Sequence, residues 1–208
     1  VDYAPREGGW GARVALVKTV AAVGMDMQGI SAGGGLSIPC QAGEPVIDTA
    51  NYFALWNAAR QEVATLLGHP VTLELEPGRY LVAESGVLVT EVRAVKDMGH
   101  NHFVMVDAGF SDLMRPAMYG SYHGMSVMTA HGQDVSGTLH DTVVGGPLCE
   151  SGDVFTQGEG GVVLTRALPA AQVGNLVVIH DTGAYGASMS SNYNSRPLIP
   201  EVLIEHGQ

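Results

Sequence analysis

The chain has 208 residues, 46% hydrophobic and 15% charged, which is enough apolar material for a real core and argues against disorder. Its formal charge is −11, with lysine only at Lys18 and Lys96, and so sparse a cationic complement argues against a nucleic-acid partner. Two cysteines make no disulfide framework, no apolar run approaches a membrane span, and Val1-Asp2-Tyr3 opens without an export signal, so a cytoplasmic location is expected.

A Gly-rich entry (Gly8, Gly9, Gly11) precedes a helical run from Ala12 to Ala22. A short strand over Gln28–Ala32 runs into Gly33-Gly34-Gly35. Asp48 or Thr49 is placed to cap a helix from Ala50 to Leu67, whose apolar face is Phe53, Trp56, Ala59, Val63 and Leu67. Gly68 and Pro70 end it, and Val71–Glu76 reads as a strand that stops at Pro77-Gly78. This is the rhythm of βα units in a parallel layer.

After about Glu84 the texture changes. Gly86–Val95, His102–Val106, Tyr119–Met128, Asp141–Val144 and Asn175–His180 are short β-branched or alternating runs, the pattern of an antiparallel sandwich or barrel. The expected fold class is therefore α/β plus all-β, with a boundary between residues 84 and 85.

Several loops carry chemistry-bearing residues. Gly33-Gly34-Gly35 would let backbone N–H groups approach an anion, although, taken alone, a tight turn after a strand is the better reading. Glu76-Pro77-Gly78-Arg79 sits at a strand end, where α/β barrels place their sites, and it also reads as a surface turn with an ion pair. Arg115, in Asp107–Tyr122, would grip a carboxylate or face solvent. Cys149 and Glu150 set a thiol beside an acid in the loop Gly146–Asp153, a credible proton donor. Cys40 follows Pro39 in an ordinary turn. His100-Asn101-His102 is poor ligand spacing, so no metal is expected. Ser-His-Asp catalysis lacks its nucleophile turn.

Each motif is common alone, but the ordered set is not. Ser31–Leu36, Leu73–Tyr80, Val106–His123, Gly146–Thr156 and His180–Val202 together resemble the fold-type III decarboxylases that use pyridoxal 5'-phosphate, and most specifically those acting on meso-2,6-diaminopimelate. The resemblance runs from about Gln28 to the end. It implies the C-terminal part of a (β/α)8 barrel over residues 1–84 and a C-terminal β domain over 85–208. It also implies that Gly34, Gly35, Gly78, Arg79 and Tyr185 hold the cofactor phosphate and Glu76 its pyridine nitrogen. Arg79, Arg115, Tyr119 and Tyr185 would bind substrate carboxylate, and Glu150 the distal amino group. Cys149 would deliver a proton from the neighbouring subunit of a homodimer.

A zwitterionic distal end needs both an arginine and an acid, and Arg115 with Glu150 would supply them, favouring diaminopimelate over a lone distal amine. The product would be L-lysine and carbon dioxide. The rival readings are a decarboxylase for another basic amino acid and a non-catalytic dimerisation module. The family's cofactor-linking lysine and the histidine that stacks on the cofactor match nothing here. The chain is thus expected to be partial, inactive alone, and prone to aggregate through unpaired strand edges.

Overall fold

The structure, a computed structural model, describes residues 7–41 and 43–207. Residues 1–6, where the expected barrel portion opens, lie outside the described residues. The chain divides into two compact units: residues 1–39 with 43–81, and residues 40–42 with 82–208. No helix among the described residues is long and apolar enough to cross a membrane.

The first unit is a βαβ arrangement preceded by a helix. Helix α1 (Glu7–Ala22) begins earlier than expected and takes in Gly8, Gly9 and Gly11, although each glycine costs a helix about 0.5–1 kcal/mol relative to alanine. Strand β1 (Gly29–Ser31) leads, by way of helix α2 (Thr49–Leu67), to strand β2 (Thr72–Glu74). Asp48 is the residue that caps α2, its carboxylate accepting from the Asn51 amide at 2.9 Å. Gly68 closes the helix in the left-handed region, φ 77°, its N–H donating to the Ala64 carbonyl.

The buried face of α2 differs from the expected stripe. Tyr52, Ala59 and Val63 are buried, whereas Phe53 is 53% exposed. The spacing between Ala59 and Val63 is helical as read, but the stripe starts one residue earlier. Val63 packs with Val17 of α1 and Val71, with Met27, Ile30, Ala64 and Leu67 around them. Arg60 donates to the Val71 carbonyl at 3.1 Å and so fastens the helix to the chain entering β2. The strands pair in parallel, Gly29 with Thr72, Ile30 with Leu73 and Ser31 with Glu74.

A short helix α3 (Gly78–Val82) ends this stretch, and the second unit follows. Its strands are β3 (Leu88–Met98), β4 (Asn101–Val106), β5 (Met125–Met128), β6 (Leu139–Gly145), β7 (Arg166–Pro169) and β8 (Leu176–Ile179). They form one six-stranded sheet in the order β5-β8-β3-β4-β6-β7, whose edge strands β5 and β7 approach each other, so that the sheet nearly closes into a barrel.

The sheet is mixed, which corrects the expectation of a purely antiparallel one. β4 and β6 run parallel, from His102 against Thr142 to Met105 against Gly145. Alternation along a strand reports which face is buried and is silent on the direction of the neighbour. β3 serves two partners, Leu88–Glu91 pairing with β8 and Val92–Met98 with β4, with a bulge between Val92 and Ala94. The core is built from the inward residues, with Val92, Val104, Val144, Phe155, Val177 and Ile179 among its most completely buried members; each large side chain contributes about 1.5–3 kcal/mol by burial.

Two further corrections concern local structure. The run expected as a strand from Tyr119 to Met128 begins instead at the end of a helical turn, α4 (Arg115–Tyr119), and only Met125–Met128 is strand. Gly120 ends the turn at φ 60°. A Cβ there would come 2.6 Å from the Glu159 Cα, so glycine is required on two counts. Strand β7 was not anticipated, being four residues that end in proline.

Candidate functional site

In the first unit the sequence-selected loops meet at the C-terminal ends of β1 and β2. Pairing continues past the strands: the Ala32 amide donates to the Glu74 carbonyl at 2.9 Å and the Glu76 amide to the Gly33 carbonyl at 3.0 Å. The Ser31 hydroxyl donates to Glu76 Oε1 at 2.6 Å while accepting from the Gly33 amide at 2.9 Å. One side chain thus joins the glycine bend to the carboxylate.

Glycine is obligatory at the contact, since a Cβ on Gly34 would lie 2.9 Å from the Glu76 carbonyl oxygen. Gly35 has φ +100° and opens onto free space, leaving its backbone accessible. The Gly78 amide turns back onto the Glu76 carbonyl at 2.9 Å. Gly34, Gly35, Glu76 and Gly78 are exposed, and Arg79, the second residue of α3, is half-buried. These are backbone donors, a carboxylate and a guanidinium at the ends of parallel strands, the usual place for ligands in α/β layers.

In the second unit Arg115 opens α4 and gathers aromatic neighbours. Its guanidinium carbon lies 5.8 Å from the Tyr119 ring centroid and 5.3 Å from that of Tyr185, and Nη2 donates to the Ser121 hydroxyl at 3.0 Å. Tyr119 and Tyr185 remain 54% and 42% exposed. Tyr185 sits at φ 63°, between Gly183 and Gly186, where a Cβ would strike the backbone carbonyls of Val82 and Thr182 respectively. A cation flanked by two hydroxylated rings is suited to a carboxylate, which Arg engages through its planar fork.

Cys149 and Glu150 are exposed on the loop between β6 and β7. Glu150 Oε1 accepts from the Ser151 hydroxyl at 3.2 Å and the Gly152 amide at 3.1 Å. Arg115 and Glu150 thus lie on different elements of this unit, Arg115 at the start of α4 and Glu150 on the loop between β6 and β7. His102, half of the H-x-H, faces Asp97, with Nδ1 2.7 Å from Oδ1.

Sequence reading passed over the residues that hold these loops. Ser31 was read only as part of a motif. Asp153 is 4% exposed and accepts from the Phe110 and Leu148 amides, both at 2.7 Å. Burial pushes its carboxyl above the usual range despite those two amides. Asp107 is the opposite case: burial raises it, but the Thr90 hydroxyl, the backbone amides and Arg93 outweigh that and hold it low. The available signal was the placement of these acids inside glycine-rich turns.

Comparison with known proteins finds relatives along the whole chain. The family described as pyridoxal-dependent decarboxylase, C-terminal sheet domain, matches residues 23–183. A diaminopimelate decarboxylase of Escherichia coli K12 is 64% identical over 209 positions, covering 100% of this chain and 49% of that protein. One from Streptomyces coelicolor is 64% identical over 190 positions, covering 91% and 43%. A crystal structure of a diaminopimelate decarboxylase superimposes with a TM-score of 0.91 at 64% identity, covering 100% of this chain and 49% of the other. A second, from Helicobacter pylori and complexed with L-lysine, gives 0.71 at 33% identity, covering 96% and 45%. The chain spans about half the length of the curated relatives it matches. With the matched residues extending through both units, the chain belongs to the pyridoxal-dependent decarboxylase family.

Proposed function

We propose that this chain serves a decarboxylase that converts meso-2,6-diaminopimelate to L-lysine and carbon dioxide, with residues 1–84 closing a (β/α)8 barrel and 85–208 forming the C-terminal β domain. The observation that carries the reading is the side-by-side seating of the triglycine bend and Glu76, bridged by Ser31. Identity of 64% to diaminopimelate decarboxylases over the whole chain supports the substrate.

The residues present suit the cofactor. Gly34 and Gly35 offer backbone N–H groups and Arg79 a cation for the phosphate, with Gly78, whose own amide turns onto the Glu76 carbonyl, and Tyr185 assigned to the same end. Glu76, held by Ser31, would keep a proton on the ring nitrogen. When bound, pyridoxal phosphate supplies an electron sink for the electrons released as carbon dioxide leaves.

Arg115, with Tyr119, Tyr185 and Arg79, would bind and orient substrate carboxylate, and Glu150 the distal ammonium. Two charges of opposite sign at the far end select a zwitterion over a simple diamine precursor, because an unmatched guanidinium would be left without its partner. Cys149 Sγ would give its proton to the α-carbon after decarboxylation, and the exposed thiolate would recover one from solvent. Neither Lys18, in α1, nor Lys96, in β3, lies in a motif of the family, so the cofactor-linking lysine is assigned outside these residues. The working form is assigned as a cytoplasmic homodimer, with Cys149 delivered to the site of the other copy.

The test is carbon dioxide release by the full-length protein loaded with pyridoxal phosphate. Diaminopimelate should be turned over in preference to ornithine, arginine and lysine. Preference for any of those three would overturn the substrate assignment.

A further inference from the structure

We infer that Asp153 is a positioning residue, which fixes the Cys149–Glu150 loop against the loop that launches Arg115; the inference rests on the roles proposed above for Cys149 and Glu150. Its two carboxylate oxygens accept from different loops. Oδ1 takes the Phe110 amide and Oδ2 the Leu148 amide, each at 2.7 Å. Leu148 directly precedes Cys149. Phe110 lies five residues before Arg115 in the sequence, and the intervening Leu113 is fully buried.

The surroundings are built around this carboxylate. A Cβ on Gly146 would run into Oδ2, and one on Gly109 would stand 3.1 Å from Oδ1 and 2.8 Å from the Leu148 side chain. The Asp153 carbonyl also accepts from the Gly146 amide at 2.9 Å, closing the loop at its base. A third segment joins the same knot: Ser191 donates its amide to the Ser111 carbonyl at 2.9 Å, Tyr193 meets the Phe110 ring edge-on at 4.8 Å, and Arg196 donates to the Asp107 carbonyl at 2.7 Å. Three separate stretches of sequence are thereby tied to one point, and none of these tying residues has a chemical role in the proposed reaction.

Only a group that accepts at both oxygens satisfies two amide donors. Asparagine has the same shape but sets an N–H against one of those amides, and the buried donor would be left unmet. A carboxylate retained despite burial, and despite Asp112 close by, is better explained by this double demand than by solubility or packing.

The experiment is a double-mutant cycle in the full-length protein carrying pyridoxal phosphate, with Asp153→Asn and Cys149→Ala. Asp153→Asn should lower kcat roughly 10–100-fold, the scale of an ångström-sized misplacement. Cofactor absorbance should be unchanged, because the Asp153 carboxylate accepts from Phe110 and Leu148 and from none of the residues assigned to the phosphate and the ring. Placed on Cys149→Ala, the same substitution should cost less than about twofold further in kcat at saturating substrate, since its effect on turnover acts through a thiol already removed. The placement of Glu150 is read in KM. If the two losses multiply, the inference is wrong while the donor role of Cys149 stands. Full turnover by Cys149→Ala removes the donor role and the inference with it. Should Asp153→Asn fail to fold, Gly146→Ala, whose new methyl displaces the carboxylate, is read in the same cycle; failure of both to fold makes Asp153 a folding residue and overturns the inference.

Discussion

Ser31 and Glu76 are 45 residues apart in sequence, and the hydroxyl of one donates to the carboxylate of the other at 2.6 Å. The contact follows from the parallel register that sets Ser31 against Glu74 and carries both chains two residues past the strands. Because Ser31 also accepts from the Gly33 amide, the orientation of the carboxylate and the shape of the glycine bend are set by one side chain.

Removing that hydroxyl should weaken the cofactor without unfolding the unit. In the full-length protein, Ser31→Ala is expected to raise the dissociation constant for pyridoxal phosphate about 3–10-fold, equivalent to the roughly 0.5–1.5 kcal/mol of an ordinary hydrogen bond. Absorbance titration measures it. An unchanged constant would mean that Glu76 needs no brace.

Gly34→Ala should be more severe. The new Cβ would lie 2.9 Å from the Glu76 carbonyl oxygen, and backbone cannot swing aside as a side-chain tip does. A loss of about 1–3 kcal/mol in stability is expected, together with loss of cofactor from the purified protein. Denaturant melts and the cofactor absorption band report the two effects separately.

Arg115 should resist conservative replacement. Arg115→Ala removes the stack on Tyr119 and Tyr185 and the bond to Ser121, and kcat/KM for diaminopimelate should fall roughly 100-fold or more, the cost of about 3 kcal/mol or more of lost charge-assisted contact. Arg115→Lys should recover little of it, since an ammonium cannot make the forked contact. Steady-state kinetics decide this, and near-complete rescue by lysine would show that only the charge matters.

The first unit also carries a testable pH dependence. His69 Nε2 meets Asp26 Oδ1 and Nδ1 meets the Pro70 carbonyl. The Pro70 carbonyl and then Asp26 raise the imidazole pKa, and His69 in turn lowers the Asp26 carboxyl. A raised histidine adds stability that is complete below its unfolded value, about 6.5, and disappears as pH climbs through the folded value. A lowered aspartate adds stability present above about 3.9, lost as pH falls through its own folded value. The pair therefore acts between mildly acidic and near-neutral pH. NMR titration should place His69 above its ordinary value, and Asp26→Asn should bring it down only in part, because Pro70 remains.

What was legible beforehand follows from local chemistry. Asp48 and Gly68 bracket α2 because capping and left-handed closure depend on the residue itself. The parallel pair β1 and β2 was foreshadowed by a helix flanked by two apolar runs. The face of α2 was misplaced by one residue at Phe53, since a helix with Tyr52, Phe53 and Trp56 presents two plausible stripes. Gly120 was hidden for a different reason: its requirement comes from Glu159, nearly forty residues on.

The amino-acid order alone determined the change from βα rhythm to β texture, the helix ends, and the loops that resemble a cofactor-binding family. Those depend on side-chain type and short-range spacing. The tertiary structure decided that β4 and β6 run parallel, that Ser31 joins the glycine bend to Glu76, and that Asp153 bridges Phe110 and Leu148. Such relations are hydrogen bonds between segments far apart in the chain, formed only once burial has brought their backbones within reach, and neither propensity nor spacing records them.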